Sequence, residues 1–157
     1  CYPLLLGTDR VLGDRRGEGA ALGNLGNAYA ALGQVERAID YYQQALVIDR
    51  EIGDRRGEGA DLGNMGSAYR TLGQVEQAIH HYQQALEIAR EIGDRRGEAN
   101  ASWNLGLVYE KNGDIPGAIA AMQVLVDFER EIGHPDAEKD AAYVARMKDG
   151  KAGEQGG

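Results

Sequence analysis

Three asparagines stand 40 residues apart, at Asn24, Asn64 and Asn104, each inside a stretch with a helical pattern. A carboxamide offers a donor and an acceptor together, which suits pairing with the backbone of an extended peptide. Asparagine is also a mediocre helix former, so three at one period ask for a reason. Arginines recur with the same period at Arg16, Arg56 and Arg96. With Arg70 and Lys111 they would give an acidic chain a basic lining suited to carboxylates. Other readings stay open at this point. Each asparagine would bond a neighbouring helix or be a copy left by duplication, and each arginine would pair with Glu51, Glu91 or Glu131.

These residues recur because the whole chain does. Gly13 to Ile52, Gly53 to Ile92 and Gly93 to Ile132 are three copies of one 40-residue unit without insertion, and a fourth begins at Gly133 and fades. Such a period marks a stack of repeats rather than one closed core, and repeat scaffolds bind more often than they catalyse. Each copy reads as two helices, A and B. In the second copy Leu62, Met65, Tyr69 and Leu72 recur at spacings of three and four and mark the packed face of helix A. Gly73 is its expected stop. Helix B carries one stripe of Val75, Ala78, Ile79, Tyr82, Leu86 and Ala89, and a second of His81, Ala85, Ile88 and Ile92. Two stripes predict contact with two helices.

Asp14, Asp54 and Asp94 are expected to cap the three A helices. Gly57, Gly59, Gly63 and Gly66 share one predicted helix, each costing roughly 1 kcal/mol against alanine, so that helix takes its order from packing. Gly26, Gly66 and Gly106 repeat where a side chain would hold helix A off helix B.

Helix geometry then selects the face that packing leaves free. At about 100° per residue, Arg56, Ala60, Gly63, Ser67 and Arg70 point away from the core stripe, with Asn64 and Thr71 beside them. Carrying that face across the copies predicts a peptide-binding set of Asn24, Asn27, Arg56, Gly63, Asn64, Ser67, Arg70, Arg96, Trp103, Asn104 and Lys111. Gly23 and Gly63 would leave shallow places where a chain approaches closely. Trp103 fills that place in the third copy, either as an exposed hot spot or under the terminal helix. With helix axes about 8–10 Å apart and an extended ligand rising about 3.3 Å per residue, one asparagine would meet the ligand every five or so residues.

The chain has 157 residues, 17 Lys and Arg against 25 Asp and Glu, and a formal charge of −8. That balance argues against general nucleic-acid or anionic-membrane binding. The apolar runs are too short to span a membrane, and no signal-peptide pattern appears. A single cysteine, Cys1, excludes an internal disulfide, and a cytoplasmic location is the expectation. Gly17, Gly19 and Gly23 have the wrong spacing for a dinucleotide fingerprint. His80 and His81 are adjacent, point about 100° apart on a helix and do not share a metal easily. His81 is expected to pack between helices, and His134 to sit at the start of the last helix. No catalytic set, metal or cofactor is expected.

Asn24-Leu25-Gly26-Asn27-Ala28-Tyr29, then Leu32-Gly33, Ala38-Ile39 and Ala45-Leu46, resemble the tetratricopeptide repeat. Met65-Gly66, Tyr69, Ala78 and Ala85 repeat the pattern, as do Leu105-Gly106, Tyr109 and Ala118, although Met122 and Leu125 depart from it. The usual repeat has 34 residues. At 40, with Arg50, Arg90 and Arg130 where a proline commonly ends helix B, the chain is similar to kinesin light chain and LGN/Pins repeats. The resemblance implies an all-α solenoid, a right-handed superhelix of antiparallel helix pairs whose A helices line a concave peptide-binding groove. Asparagines at matching positions of those adaptors hold ligand backbone.

The expected division is a remnant B helix at 1–12, repeats at 13–52, 53–92 and 93–132, a capping helix at 133–149 and a disordered tail at 150–157. The chain then reads as an excerpt of a longer array, a scaffold for a protein or peptide partner. The alternatives are self-association through array ends exposing Leu4 and Leu6, or a peptide- or nucleotide-sensing domain of a larger signalling protein.

Overall fold

Glycines end the helices of this chain at 20-residue intervals. Gly33, Gly53, Gly73, Gly93, Gly113 and Gly133 all take positive φ, a conformation that other L residues adopt only with strain. At Gly53 the φ of 70° closes α2 and returns the chain into the next helix. The structure, a computed structural model, describes the backbone of residues 2–155 and side chains from 13 to 150. Its helices are α1 (Tyr2–Ala31), α2 (Val35–Ile52), α3 (Arg55–Thr71), α4 (Val75–Ile92), α5 (Arg95–Lys111), α6 (Ile115–Ile132) and α7 (Ala137–Gln155). There is no strand among the described residues. The chain forms two compact units, Cys1–Gln84 and Ala85–Gly157, taken here in turn.

In the first unit α1 packs on α2 and α2 on α3. Ala38, Tyr42, Ala45 and Leu46 of α2 and Leu62 and Met65 of α3 are buried. The glycines at the helix crossings are there for room. A Cβ on Gly26 would come within 2.6 Å of the Tyr42 ring, and one on Gly66 within 2.7 Å of Tyr82. Each tyrosine hydroxyl then needs a partner in the interior. Tyr42 donates to Asn27 Oδ1 at 2.6 Å, and the Tyr82 hydroxyl lies 2.7 Å from Ser67 Oγ. Tyr29 stacks on Tyr41, and Tyr69 packs at a tilt of 37° against His81, so His81 is the interhelix packing residue its alignment predicts.

In the second unit α5 packs on α6 and α6 on α7. Met122, Val126 and Val144 form a fully buried centre, with Trp103, Leu107, Ile119, Tyr143 and Met147 packed around it. Gly106 again gives way to its partner, since a Cβ there would meet Met122 Cγ at 2.4 Å.

Two aspartates cap A helices as expected: Gly57 N–H donates to Asp54 and Gly97 N–H to Asp94, both at 3.0 Å. Asp114 does the same for α6 through Gly117. Asp14 does not. The first segments differ from the expected division because α1 runs unbroken through Gly13 and Asp14, so no turn separates 1–12 from 13–52. Gly13 lacks the positive φ that Gly53 and Gly93 take at the same repeat position. An unbroken helix also pairs the backbone of both segments internally. The far end differs as well, with α7 continuing to Gln155 instead of giving way to a disordered tail at 150. Cys1, Gly156 and Gly157 lie outside the described residues, as do the side chains of Leu4 and Leu6 on which self-association would rest.

Candidate functional site

The helix-start cassette divides its two arginines between different tasks. The first of each pair turns to acids: Arg15 pairs with Glu18 and Glu51, Arg55 with Glu58, and Arg95 with Glu131. The second of each pair, Arg16, Arg56 and Arg96, is exposed and makes no ion pair among the described residues. Glu51 and Glu131, expected among its alternative partners, thus go to its neighbour. Arg70 and Lys111, in the last turns of α3 and α5, are likewise without an acid.

The asparagine positions divide in the same way. Asn27 and Ser67, at one repeat position, are occupied by Tyr42 and Tyr82. The carboxamides of Asn24, Asn64 and Asn104 have no partner among the described residues, so the neighbouring-helix reading of them does not apply there. Asn24 is exposed, and Asn64 and Asn104 are half-buried. Gly63 is half-buried beside Asn64.

In the first unit Asn24 and Asn64 line one cavity of about 240 Å³. Its wall holds Asp49 of α2, Asp54 of the α2–α3 turn and Asp61 of α3, with Arg16, Gly19, Gly23 and Gly57 around them. Sequence reasoning missed the acids. Asp49 and Asp61 are each only 6% exposed, and no N–H group among the described residues donates to either carboxyl group. Asp61 Oδ2 is a buried oxygen without a partner. Asp49 is among the groups that act on the Asp61 carboxyl. Burial first, then Asp49 and the charge of Asp54, pushes the Asp61 carboxyl up to about 8. Burial and the Asp61 charge also raise the Tyr42 hydroxyl. Glu58, equally buried, shows the ordinary solution, taking Arg50 Nε at 3.1 Å and an Arg55 guanidinium nitrogen at 2.8 Å. The sequence signal was available: Asp61 stands where the other copies have Ala21 and Ala101.

The corresponding face of α5 in the second unit is covered. Trp103 is half-buried with its ring 5.8 Å from that of Tyr143 of α7, the terminal-helix outcome that its sequence position left open. The Tyr143 hydroxyl donates to the Glu110 carboxylate at 2.6 and 2.8 Å, and this bond raises its own titration point. At the α6–α7 turn, Glu129, His134 and Asp136 each bring one donor atom within 4.8 Å of the others. His134 Nδ1 is already engaged by Glu129 at 2.9 Å and by the Asp136 N–H at 3.1 Å, which makes the trio a helix-start cap. Burial and then Asp140 raise the Glu129 carboxyl.

Models of the tetratricopeptide repeat match residues 58–128 and, separately, 19–51, together more than half of the chain. No curated protein sequence matches it. Among solved structures, the apo form of RapI superposes with a TM-score of 0.82 at 16% identity, over 89% of this chain and 39% of that one. The tetratricopeptide domain of Arabidopsis FLU gives 0.71 at 17%, over 74% and 98%. A kinesin light chain-like protein of Podosopora anserina, with nearly identical repeats, gives 0.69 at 20%, over 82% and 64%. The fold is thus an all-α solenoid type built of helix pairs. The chain spans well under half the length of RapI. No helix among the described residues is long and apolar enough to cross a membrane.

Proposed function

The chain belongs to the tetratricopeptide-repeat family, and from that premise we propose that it holds an extended peptide segment of a partner protein against the asparagine-bearing faces of its A helices. Repeats of this family serve protein–protein interaction and are typically non-enzymatic. The finer reading is carried by one observation: Asn24, Asn64 and Asn104 recur at one helix position, and none spends its carboxamide on the fold. A free carboxamide bonds a peptide N–H and C=O together. Arg56, Arg96, Arg70 and Lys111 add unpaired cations that suit acidic groups of a ligand.

Asn27 keeps its amide N–H donors, while Ser67 acts by holding Tyr82. Gly63 leaves room for ligand backbone beside Asn64. Trp103, seated on α7, offers the ligand only the part of its ring that remains exposed. The location we propose is the cytoplasm, and any catalytic output belongs to other parts of a longer polypeptide.

The test begins with peptides selected by phage display on the full chain. Their affinity is then measured by fluorescence polarisation against Asn64→Ala and Asn104→Ala proteins of unchanged Tm. Loss of two backbone hydrogen bonds predicts binding weaker by about tenfold or more. Equal affinity in parent and variants contradicts the reading.

A further inference from the structure

We propose that the cavity walled by Asp49, Asp54 and Asp61 is a subsite for a cationic side chain, arginine above lysine, of the peptide that lies on Asn24 and Asn64. The inference rests on the peptide reading above and adds the chemistry that this part of the site selects.

Buried polar groups nearly always have hydrogen-bond partners, and an uncompensated buried charge is strongly destabilising. Asp61 breaks that rule, its Oδ2 buried without a partner, and Asp49 faces the same cavity with no N–H donor among the described residues. The missing partner must supply several N–H groups and a positive charge. Elsewhere the chain supplies such partners itself, Arg50 and Arg55 for Glu58 and His134 for one oxygen of Glu129, whose other oxygen is also buried without a partner. Here the one cation in the wall, Arg16, stays exposed and unpaired.

Room for the guest comes from residues that helices ordinarily avoid. Gly19 and Gly23 sit inside α1, where each costs roughly 1 kcal/mol against alanine. A Cβ on Gly19 would stand 3.2 Å from Asp49 Oδ1, and one on Gly23 3.4 Å from Asp61 Oδ1. About 240 Å³ is more than a single ion requires and admits a guanidinium with part of its stem. The aspartates are also less tightly gathered than a chelating set. Among the described residues, only Glu129, His134 and Asp136 bring three donor atoms within 4.8 Å. A planar fork meeting two neighbouring carboxylates is the geometry arginine serves best.

The guest competes with the proton that Asp61 carries. Tyr42 and Asp49 of α2, Asp54 in the turn and Arg16 of α1 are the other titratable groups around Asp61. Since Asp61 titrates near 8, affinity for the cation rises as pH goes from 6 to 8.

The experiment is an NMR titration of the full chain with acetylated, amidated Gly-Gly-X-Gly-Gly peptides, X being arginine, lysine or the neutral isostere citrulline, and with free arginine. The arginine peptide is expected to shift the carboxyl signals of Asp49 and Asp61 and the amide signals of Asn24 and Asn64. It should bind about tenfold or more tighter than the citrulline peptide, with Asp49→Asn plus Asp61→Asn removing that preference in a protein of unchanged fold. Equal affinity for arginine and citrulline, or no binding by any probe at millimolar concentration, overturns the subsite. A preference that survives the double variant also overturns it, as does free arginine binding as tightly as the peptide. If arginine preference persists while Asn24→Ala and Asn64→Ala change nothing, the cavity stands and the asparagine reading falls.

Discussion

The two units spend the same repeat positions in opposite ways. In the first, helix-B tyrosines are held by polar groups, Tyr42 by Asn27 and Tyr82 by Ser67. In the second that pair becomes Leu107 and Met122, and it joins Trp103 and the α7 residues Tyr143, Val144 and Met147 in an apolar cluster. The buried acids Asp49 and Asp61 of the first unit have Ala89 and Ala101 as their counterparts 40 residues on, both buried and chemically silent. One backbone plan thus yields a polar, donor-starved cavity in one unit and a closed hydrocarbon seam in the other. Packing glycines are common to both; the difference lies in a few side chains that the backbone does not need.

The largest effect should come from opening the closed seam. Met122→Ala empties a fully buried site and is expected to cost about 3 kcal/mol in urea unfolding. Tyr82→Phe, its counterpart in the first unit, loses only the bond to Ser67, about 1 kcal/mol. Equal losses would dissolve the contrast.

Next comes a transplant. Asp49→Ala with Asp61→Ala installs the alanine pair of the second unit, and it should stabilise the chain by about 2 kcal/mol at pH 8, since it removes buried charge without a partner. Destabilisation would mean that the pair contributes to folding.

The same pair sets a pH dependence. Asp61 holds its proton in the folded chain up to about 8, while the unfolded chain loses it near its ordinary value of 3.8. Between those limits the folded state binds the extra proton, so stability falls as pH rises, by on the order of 1 kcal/mol per pH unit. Glu129, raised in the same direction, adds to the slope. Asp61→Asn should flatten much of it in denaturation curves taken from pH 4 to 8, and an unchanged slope would place its origin elsewhere.

A smaller change separates binding from stability. Gly23→Ala improves helix propensity by up to about 1 kcal/mol, and its Cβ makes an ordinary 3.4 Å contact with Asp61. It should raise Tm slightly while narrowing the cavity and weakening arginine-peptide binding. Smallest of all is Arg95→Ala, which removes an exposed, solvent-screened pair with Glu131 and should leave Tm nearly unchanged.

The helices were legible because Leu62, Met65 and Tyr69 keep helical spacing and Gly73 and Gly93 stop them in each copy. Gly26 and Gly66 were legible as crossing points through their recurrence alone. The unbroken α1 was not, because the cassette at Gly13 reads like those that turn at Gly53 and Gly93. Which arginine of Arg15-Arg16 would reach Glu51 depends on helix rotation, which spacing does not resolve. Asp49 and Asp61 meet across the α2–α3 turn, so their pairing is a property of how two helices face one another. Only the substitution of alanine by aspartate at position 61 hinted at it.

The central claim is that Asp61 waits in a cavity for a cation. Carbon-13 NMR of its side-chain carboxyl across pH 4 to 10, with and without the arginine pentapeptide, tests it directly. The account predicts titration near 8 in the free chain, and a fall of about two units or more when the peptide is bound. Titration near 4 in the free chain, or a value the peptide does not move, would contradict it.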